Sequence, residues 1–318
     1  FSAADEPDGS AKFIVNIFTQ LNMKKSLLLL MGIFAMAASA QQATVTRVER
    51  LLKDVEGPAY YPQLNRAGDC LLFSSGPSLG LKAYDFQSNV ATRVSNEAGT
   101  GINATFGPDG NIYYVTNQQN ENHLIYRTGH RYDLTTRHDE VVLGTQHGAV
   151  TLERGITGIA MRGEKRNYRS SKSLGTAVST QGAKLILTVD GICHEYSPVE
   201  SHAGYLWASL SPNGQKVAFY AAGKGIVVTD LNGNVLAQPG NYEMPCWYDN
   251  DYLVAQNAKD DGHQFTSSQI MLLKADGTHE QALTPATSMT MHPTSAAGKI
   301  VYTTIDGNLY LMTININP

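Results

Sequence analysis

A tight turn followed by an apolar strand recurs along the chain, and a repeat of this kind limits the fold more than any single motif can. The copies are QLNRAGDCLLF (63–73), TFGPDGNIYYV (105–115), AVSTQGAKLIL (177–187), SLSPNGQKVAF (209–219), CWYDNDYLVAQ (246–256) and, one residue longer, MHPTSAAGKIVY (291–302). In the first five, a hydrophobic residue stands four before the turn glycine or its equivalent: Leu64, Phe106, Val178, Leu210 and Trp247. Another stands five after it as Phe73, Val115, Leu187 and Phe219, with Gln256 the exception. Asn, Asp and Gly accept the positive φ of tight turns, so each copy reads as strand, turn, strand. A third strand follows each pair, at 79–86, 123–134, 191–198, 225–233, 270–277 and 307–314, and several units add a short fourth.

Four strands in about 40 to 45 residues make a propeller blade. The sixth unit stops after its third strand, while an orphan strand, TVTRVERLL (44–52), precedes the first. The expected fold is therefore all-β, a six-bladed β-propeller of four-stranded antiparallel blades. Its ring is closed by the N-terminal strand, which leaves no blade edge unpaired.

The turns FGPDGNIYYV and LSPNGQKVAFY, followed by VVTDLNGNV and LLKADGTHEQALT, resemble the WD40-like (PD40) repeats of the TolB-like six-bladed propeller family. The resemblance spans 44–318 as a pattern, is sharpest in the second, fourth and fifth units, and has no part matching the N-terminal domain of TolB. It implies an architecture and, with it, a component of a cell-envelope assembly. The same blades also stand before peptidase domains and occur in lyases, so the resemblance names an architecture more firmly than an activity; the expected role is a non-catalytic binding or scaffold module acting through the funnel or the basic insertion, with a polysaccharide- or peptide-acting lyase or hydrolase as the alternative.

With 24 Lys plus Arg against 28 Asp plus Glu, the chain lacks the basic stripe that phosphate-backbone binding needs, and nucleic acid is not an expected partner. Residues 23–40 have a Lys24–Lys25 start, an apolar run from Leu27 to Ala38 and an Ala-Ser-Ala end, which is the pattern of a secretory signal peptide. Cleavage after Ala40 leaves 41–318 as a single propeller, with 1–22 expected to be non-native upstream sequence. The apolar run is too short for a stable span of about 20 residues, so no membrane span is expected after cleavage. The expected location is the periplasm or the medium, and the expected partner an envelope protein, a peptide or an oligosaccharide.

The turn glycines Gly68, Gly110, Gly182 and Gly214 are spaced by 42, 72 and 32 positions, which leaves an excess at about 146–172. That stretch holds Arg154, Arg162, Lys165, Arg166, Arg169 and Lys172 against Glu153 and Glu164. It reads as a lid with a basic face for an anionic ligand or partner, or else as a solvated insertion or divergent outer strand.

No motif for chemistry survives inspection. Gly76-Pro77-Ser78-Leu79-Gly80 fits a nucleophile elbow in letters only, since it joins two antiparallel strands, and Gly99-Thr100-Gly101 lacks a following helix. His130, His138 and Asp139 form the nearest approach to a metal cluster, Asp249-Asn250-Asp251 and Asp260-Asp261-Gly262 read as turns, and Cys70, Cys193 and Cys246 as buried thiols. Neither metal nor cofactor is called for, and no catalytic residue is assigned. Propellers bind at the axis, where the loops entering the innermost strands converge. Those entrances hold Tyr60, Tyr61, Asn103, His202, Tyr205, Trp207, Glu243, Met244 and His292. Aromatic groups with polar tips at such a mouth suit a peptide or a sugar.

Overall fold

The computed structural model describes residues 43–52, 57–76, 79–163, 174–201 and 203–317. The signal-peptide reading, the upstream segment, His202, and Lys165, Arg166 and Arg169 of the basic stretch lie outside the described residues.

The strands form six antiparallel sheets in chain order. Blade 1 is β2 (Tyr60–Leu64), β3 (Cys70–Ser74), β4 (Leu79–Asp85) and β5 (Val90–Ala98); blade 2 is β6 (Thr105–Phe106), β7 (Ile112–Gln119), β8 (Ile125–Asp133) and β9 (His138–His147). Blade 3 contains β10 (Val150–Gly155), β11 (Ile159–Gly163), β12 (Ala177–Gln181), β13 (Lys184–Val189) and β14 (Ile192–Tyr196). Blade 4 is β15 (Tyr205–Leu210), β16 (Lys216–Ala221), β17 (Gly225–Asp230) and β18 (Val235–Gly240); blade 5 is β19 (Glu243–Trp247), β20 (Tyr252–Asp260), β21 (Phe265–Lys274) and β22 (Glu280–Ala282). Blade 6 is β23 (Thr290–Ala296), β24 (Lys299–Thr304) and β25 (Leu309–Ile316), completed by β1 (Ala43–Arg50). First strands meet in the order β15, β19, β23, β2, β6 around the axis.

The core lies between blades. Ala218, Ile226 and Val228 of blade 4 pack on Trp247, Leu253 and Leu273 of blade 5, and Leu71 and Phe73 of blade 1 pack on Val301 and Leu309 of blade 6. This is why the second strands read as near-continuous apolar runs: both of their faces are covered, as in sandwich interiors. Below, the turns are held by side chains mimicking backbone: Asp249 Oδ1 accepts from the amides of Asp251 and Tyr252 at 2.7 and 2.8 Å. Asp230 Oδ1 does the same for Asn232 and Asn234 at 2.8 and 2.9 Å. The Asp-rich stretches are turns, as read from the sequence.

Blade 3 departs from the expected register. The repeat predicts that the copy at 177–187 forms the first two strands, but β10 is the first strand and pairs with β12 through Arg154–Val178 and Gly155–Ala177. The backbone amide of Tyr205, at the entrance to blade 4, donates to the carbonyl of Gly182 at 2.7 Å. The Gly182 turn therefore sits on the entrance face and joins strands two and three. Val178, Leu185, Leu187 and Tyr196 pack on blade 4, just as strands two to four of blade 4 pack on blade 5. The uneven glycine spacing follows, because Gly182 occupies a different turn from Gly110 and Gly214. What is inserted is β11, which follows strand one in the chain and pairs with it on the side away from β12, where it reaches across to β9 of blade 2.

Closure of the ring rests on β1, which runs antiparallel to β25 from Ala43–Ile316 to Arg50–Tyr310 with one bulge. Gln281 of blade 5 holds the start of β1 by both amide groups, accepting from the Ala43 amide at 2.9 Å and donating to its carbonyl at 2.8 Å. Removing residues 43–52 is expected to lower the melting temperature by at least ~10 °C, since a whole ladder and its buried face are lost. Gln281→Ala is expected to cost only about 1 kcal/mol. Calorimetry on the two variants checks both figures.

Candidate functional site

The four first strands β2, β15, β19 and β23 share one irregularity. Each ladder to its second strand slips at the same level, between Tyr60 and Gln63, Leu206 and Ser209, Glu243 and Cys246, and Met291 and Thr294. Within each slip one residue adopts left-handed backbone: Tyr61 (φ 51°), Trp207 (φ 54°), Met244 (φ 52°) and His292 (φ 53°). Such a conformation costs an L-residue with a large side chain about 1–2 kcal/mol. In three cases a proline follows, Pro62, Pro245 and Pro293. Proline has no N–H for a ladder and is confined to edges and bulges, so it suits the axial edge here. The bulge turns the side chain away from the sheet's regular alternation, a known way to re-aim a group beside a site.

Two of the aimed groups are in contact. The rings of Tyr61 and His292, on neighbouring blades, have centroids 4.5 Å apart, and Trp207 stands 5.4 Å from Tyr220 with 39% of its surface exposed. His292 is fixed from behind: its backbone amide donates to Gln256 Oε1 at 2.9 Å, and its Nδ1 lies 3.1 Å from Thr303 Oγ1. The Thr303 hydroxyl also reaches the Met291 carbonyl at 3.3 Å; when it donates there it accepts from Nδ1–H, and the lone pair is then on Nε2. Burial holds the imidazole down at a pKa of about 4. It is neutral at neutral pH. Glu243, half-buried near Asp260, has its carboxyl pushed up, first by burial and then by the Asp260 charge.

The other expected residues divide. Tyr60 and Asn103 lie at entrances, Tyr60 half-buried opposite Ser74 and Asn103 exposed. Tyr60 also borders a cleft of about 380 Å³ with Arg50, Asp306 and Asn308, at the seam between blades 6 and 1. Tyr205 turns inward instead: it is 2% exposed, donates to the Val199 carbonyl and packs on Phe219. Trp247 is likewise core, its Nε1 donating to the Ser209 carbonyl of blade 4 at 3.1 Å. In the basic stretch, Arg162 is engaged by the buried Glu153 at 2.7 Å, and Glu153 accepts from Thr188 at 2.7 Å, tying β11 to blade 3. Arg154 is half-buried on β10, so neither described arginine stands on a free basic face. His130 and Asp139 do meet, at 2.9 Å, but with Tyr114 and buried Thr116 as an internal network of blade 2. The three cysteines are free, Cys70 buried and Cys193 and Cys246 half-buried. Among the described residues, no three His, Cys, Asp or Glu side chains converge to hold a metal ion.

Two residues behind the mouth escaped the sequence reading. Gln256 is only 3% exposed and supports His292 across a blade boundary, and Thr303 sets its tautomer. The signal for Gln256 was its place as the polar exception in an otherwise apolar column.

The mouth is flanked by two raised hairpins. In the other blades the second strand ends level with Ser74 or one residue beyond, whereas β7 and β20 continue four residues past that level to Gln119 and Asp260. At about 3.4 Å per residue, each hairpin rises roughly 13 Å. Blades 2 and 5 are opposite in a ring of six, so the entrance face is a trough crossing the axis.

No protein-family model matches the chain, and no curated protein matches it. Among solved structures, virginiamycin B lyase from Staphylococcus aureus is similar with a TM-score of 0.58 at 11% identity, over 85% of this chain and 99% of that one. A streptogramin B lyase structure is similar with a TM-score of 0.52 at 12% identity, over 87% and 100%. TolB from Acinetobacter baumannii is similar at 15% identity with a TM-score of 0.47, over 70% of this chain and 53% of that one, so the chain spans about half the length of that protein. What is shared is the β-propeller fold, built here from six blades. Among the described residues no helix is long and apolar enough to cross a membrane.

A neutral buried histidine makes stability depend on pH. His292 has a folded pKa of about 4 against an ordinary value of 6.5, so between those values the unfolded chain binds more protons and stability falls as pH drops. The contribution, up to about 3 kcal/mol, is complete above pH 6.5 and lost by about pH 4. Denaturant titrations at several pH values should show a shallower decline over that window for His292→Gln than for the parent.

Proposed function

We propose that the chain is an exported, non-catalytic binding propeller that receives a peptide or an oligosaccharide, as a free ligand or as part of an envelope protein, at its axial mouth. The observation that carries this reading is the recurrence of left-handed backbone at Tyr61, Trp207, Met244 and His292. Backbone strain repeated in four blades at one level, and spent on pointing large side chains at a common axis, is what a recognition site requires and a scaffold does not. Export is supported by the signal-like segment at 23–40.

The test is Trp207→Gly. Glycine removes the left-handed strain, about 1–2 kcal/mol, and gives up a comparable amount in lost contact and unfolded-state entropy. Stability is therefore expected to stay within about 1 kcal/mol of the parent, while affinity for ligands identified by thermal shift against oligosaccharide and peptide panels falls more than tenfold. Retained affinity would remove the mouth from the binding site.

A second reading, a lyase or hydrolase acting on a polysaccharide or peptide, is favoured by one observation: His292 is a neutral imidazole with its Nε2 lone pair, beside Tyr61, in the position of a general base. Under this reading His292→Gln abolishes turnover but keeps ligand affinity within a few-fold, whereas the binding reading expects no turnover from the parent protein.

A further inference from the structure

The exposed large apolar side chains of the described residues fall in two places. One set, including Val90, Val141, Ile192 and Val235, lies on the fourth strands β5, β9, β14 and β18 at the rim. The other lies on the entrance face, where Leu79, Leu124, Leu206, Trp207, Phe265 and Ile305 come from five of the six blades. Of the first set, Val90, Ile192 and Val235 directly follow turns of the opposite face, paired with Asp85, Val189 and Thr229. Exposed apolar side chains drawn from five blades onto one face offer an interaction surface.

Three features choose its occupant. Most of these side chains are aliphatic. They match apolar side chains of a protein, whereas a sugar asks for aromatic platforms and a dense set of polar partners. Next, β20 rises beyond Gln256, its last partner on β19, so Asn257–Asp260 present an axial strand edge with no hydrogen-bonded partner strand among the described residues. Lys259 and Asp260 are exposed there. An unpaired edge is a template for backbone hydrogen bonding by an extended chain. Finally, Glu243 lies at the foot of this edge, paired with Gln256, the exposed Asp260 stands at its top, and Asp261 caps the hairpin tip by accepting from His263 and Gln264 at 2.9 Å each. A cationic side chain on a bound segment would meet carboxylates of opposite charge along this edge.

We propose that the trough between the hairpins of blades 2 and 5 takes an extended polypeptide segment that adds to the edge of β20, rests apolar side chains on the entrance face and carries a Lys or Arg toward Glu243 and Asp260. This rests on the binding reading above and gives it a ligand class.

The experiment selects a randomised peptide library on the full chain, then measures the selected peptides by calorimetry against three variants. Expected are peptides rich in Leu, Ile or Val, with a basic residue and without proline. Their affinity should fall more than tenfold on backbone N-methylation, and by a similar factor for the paired change Leu124→Ser with Phe265→Ser or for Asp260→Lys. Both sites are exposed, so the melting temperature should stay unchanged. Selection of no peptide, or of peptides indifferent to N-methylation and to these variants, overturns the inference. If an oligosaccharide binds instead, is lost in Trp207→Gly and is untouched by the hairpin variants, the axial mouth stands as a binding site and the polypeptide trough falls. Peptides lost in the hairpin variants yet unaffected by Trp207→Gly would leave the trough standing without the mouth.

Discussion

Everything in this molecule depends on one backbone ladder, that between β1 and β25. A propeller blade buries its faces only against its neighbours, so a ring with one open seam exposes two apolar faces at once. The seam here is closed by chain segments more than two hundred residues apart, and Gln281 reinforces it from the adjacent blade by treating Ala43 as though it were the next strand. Neither end of the propeller can therefore loosen alone. The cooperative unit is the whole ring, and the geometry of the mouth inherits its rigidity from a contact on the outside edge of blade 6.

That rigidity is what permits strain at the axis. Tyr61, Trp207, Met244 and His292 sit in a conformation that a flexible loop would abandon. They are kept there by strands locked on their outer side and by polar groups such as Gln256 and Thr303 placed immediately behind. Core packing between blades supplies the stability, and the axial bulges spend part of it on direction. The inward turn of Tyr205 shows the other outcome. One step outside the bulge, regular alternation carries an aromatic side chain into the core, where it packs on Phe219.

The repeat made the architecture legible because a period-two apolar column beside a Gly or Asp turn has few other solutions, and it located closure because one strand was missing at one end and spare at the other. It did not place the register of blade 3. A strand-turn-strand pattern such as AVSTQGAKLIL is the same object whether it is the inner or the middle hairpin of a blade, and it takes the pairing of β10 with β12 and the hydrogen bond from Tyr205 to Gly182 to distinguish them. At the site, the residues at strand entrances could be picked by position, but their direction could not. Trp207 and Trp247 are both on first strands, yet one lies within a bulge and faces solvent while the other lies beyond it and is core. The positive charges of the third blade were legible as composition, while the pairing of Arg162 with a buried Glu153 needed the fold of β11 to be known.

The seam also sets an order of events in the making of the protein. Of the described strands, β1 is the first to leave the ribosome, and it must wait for β25, the last, before it has a partner. Blades 2 to 5 can assemble as they emerge, but the ring cannot lock until the final residues are free. Through synthesis, and through any translocation in the N-to-C direction, β1 travels as an unpaired strand. Holding it apart from other chains during that interval is a task for the cell's chaperones, not for the sequence.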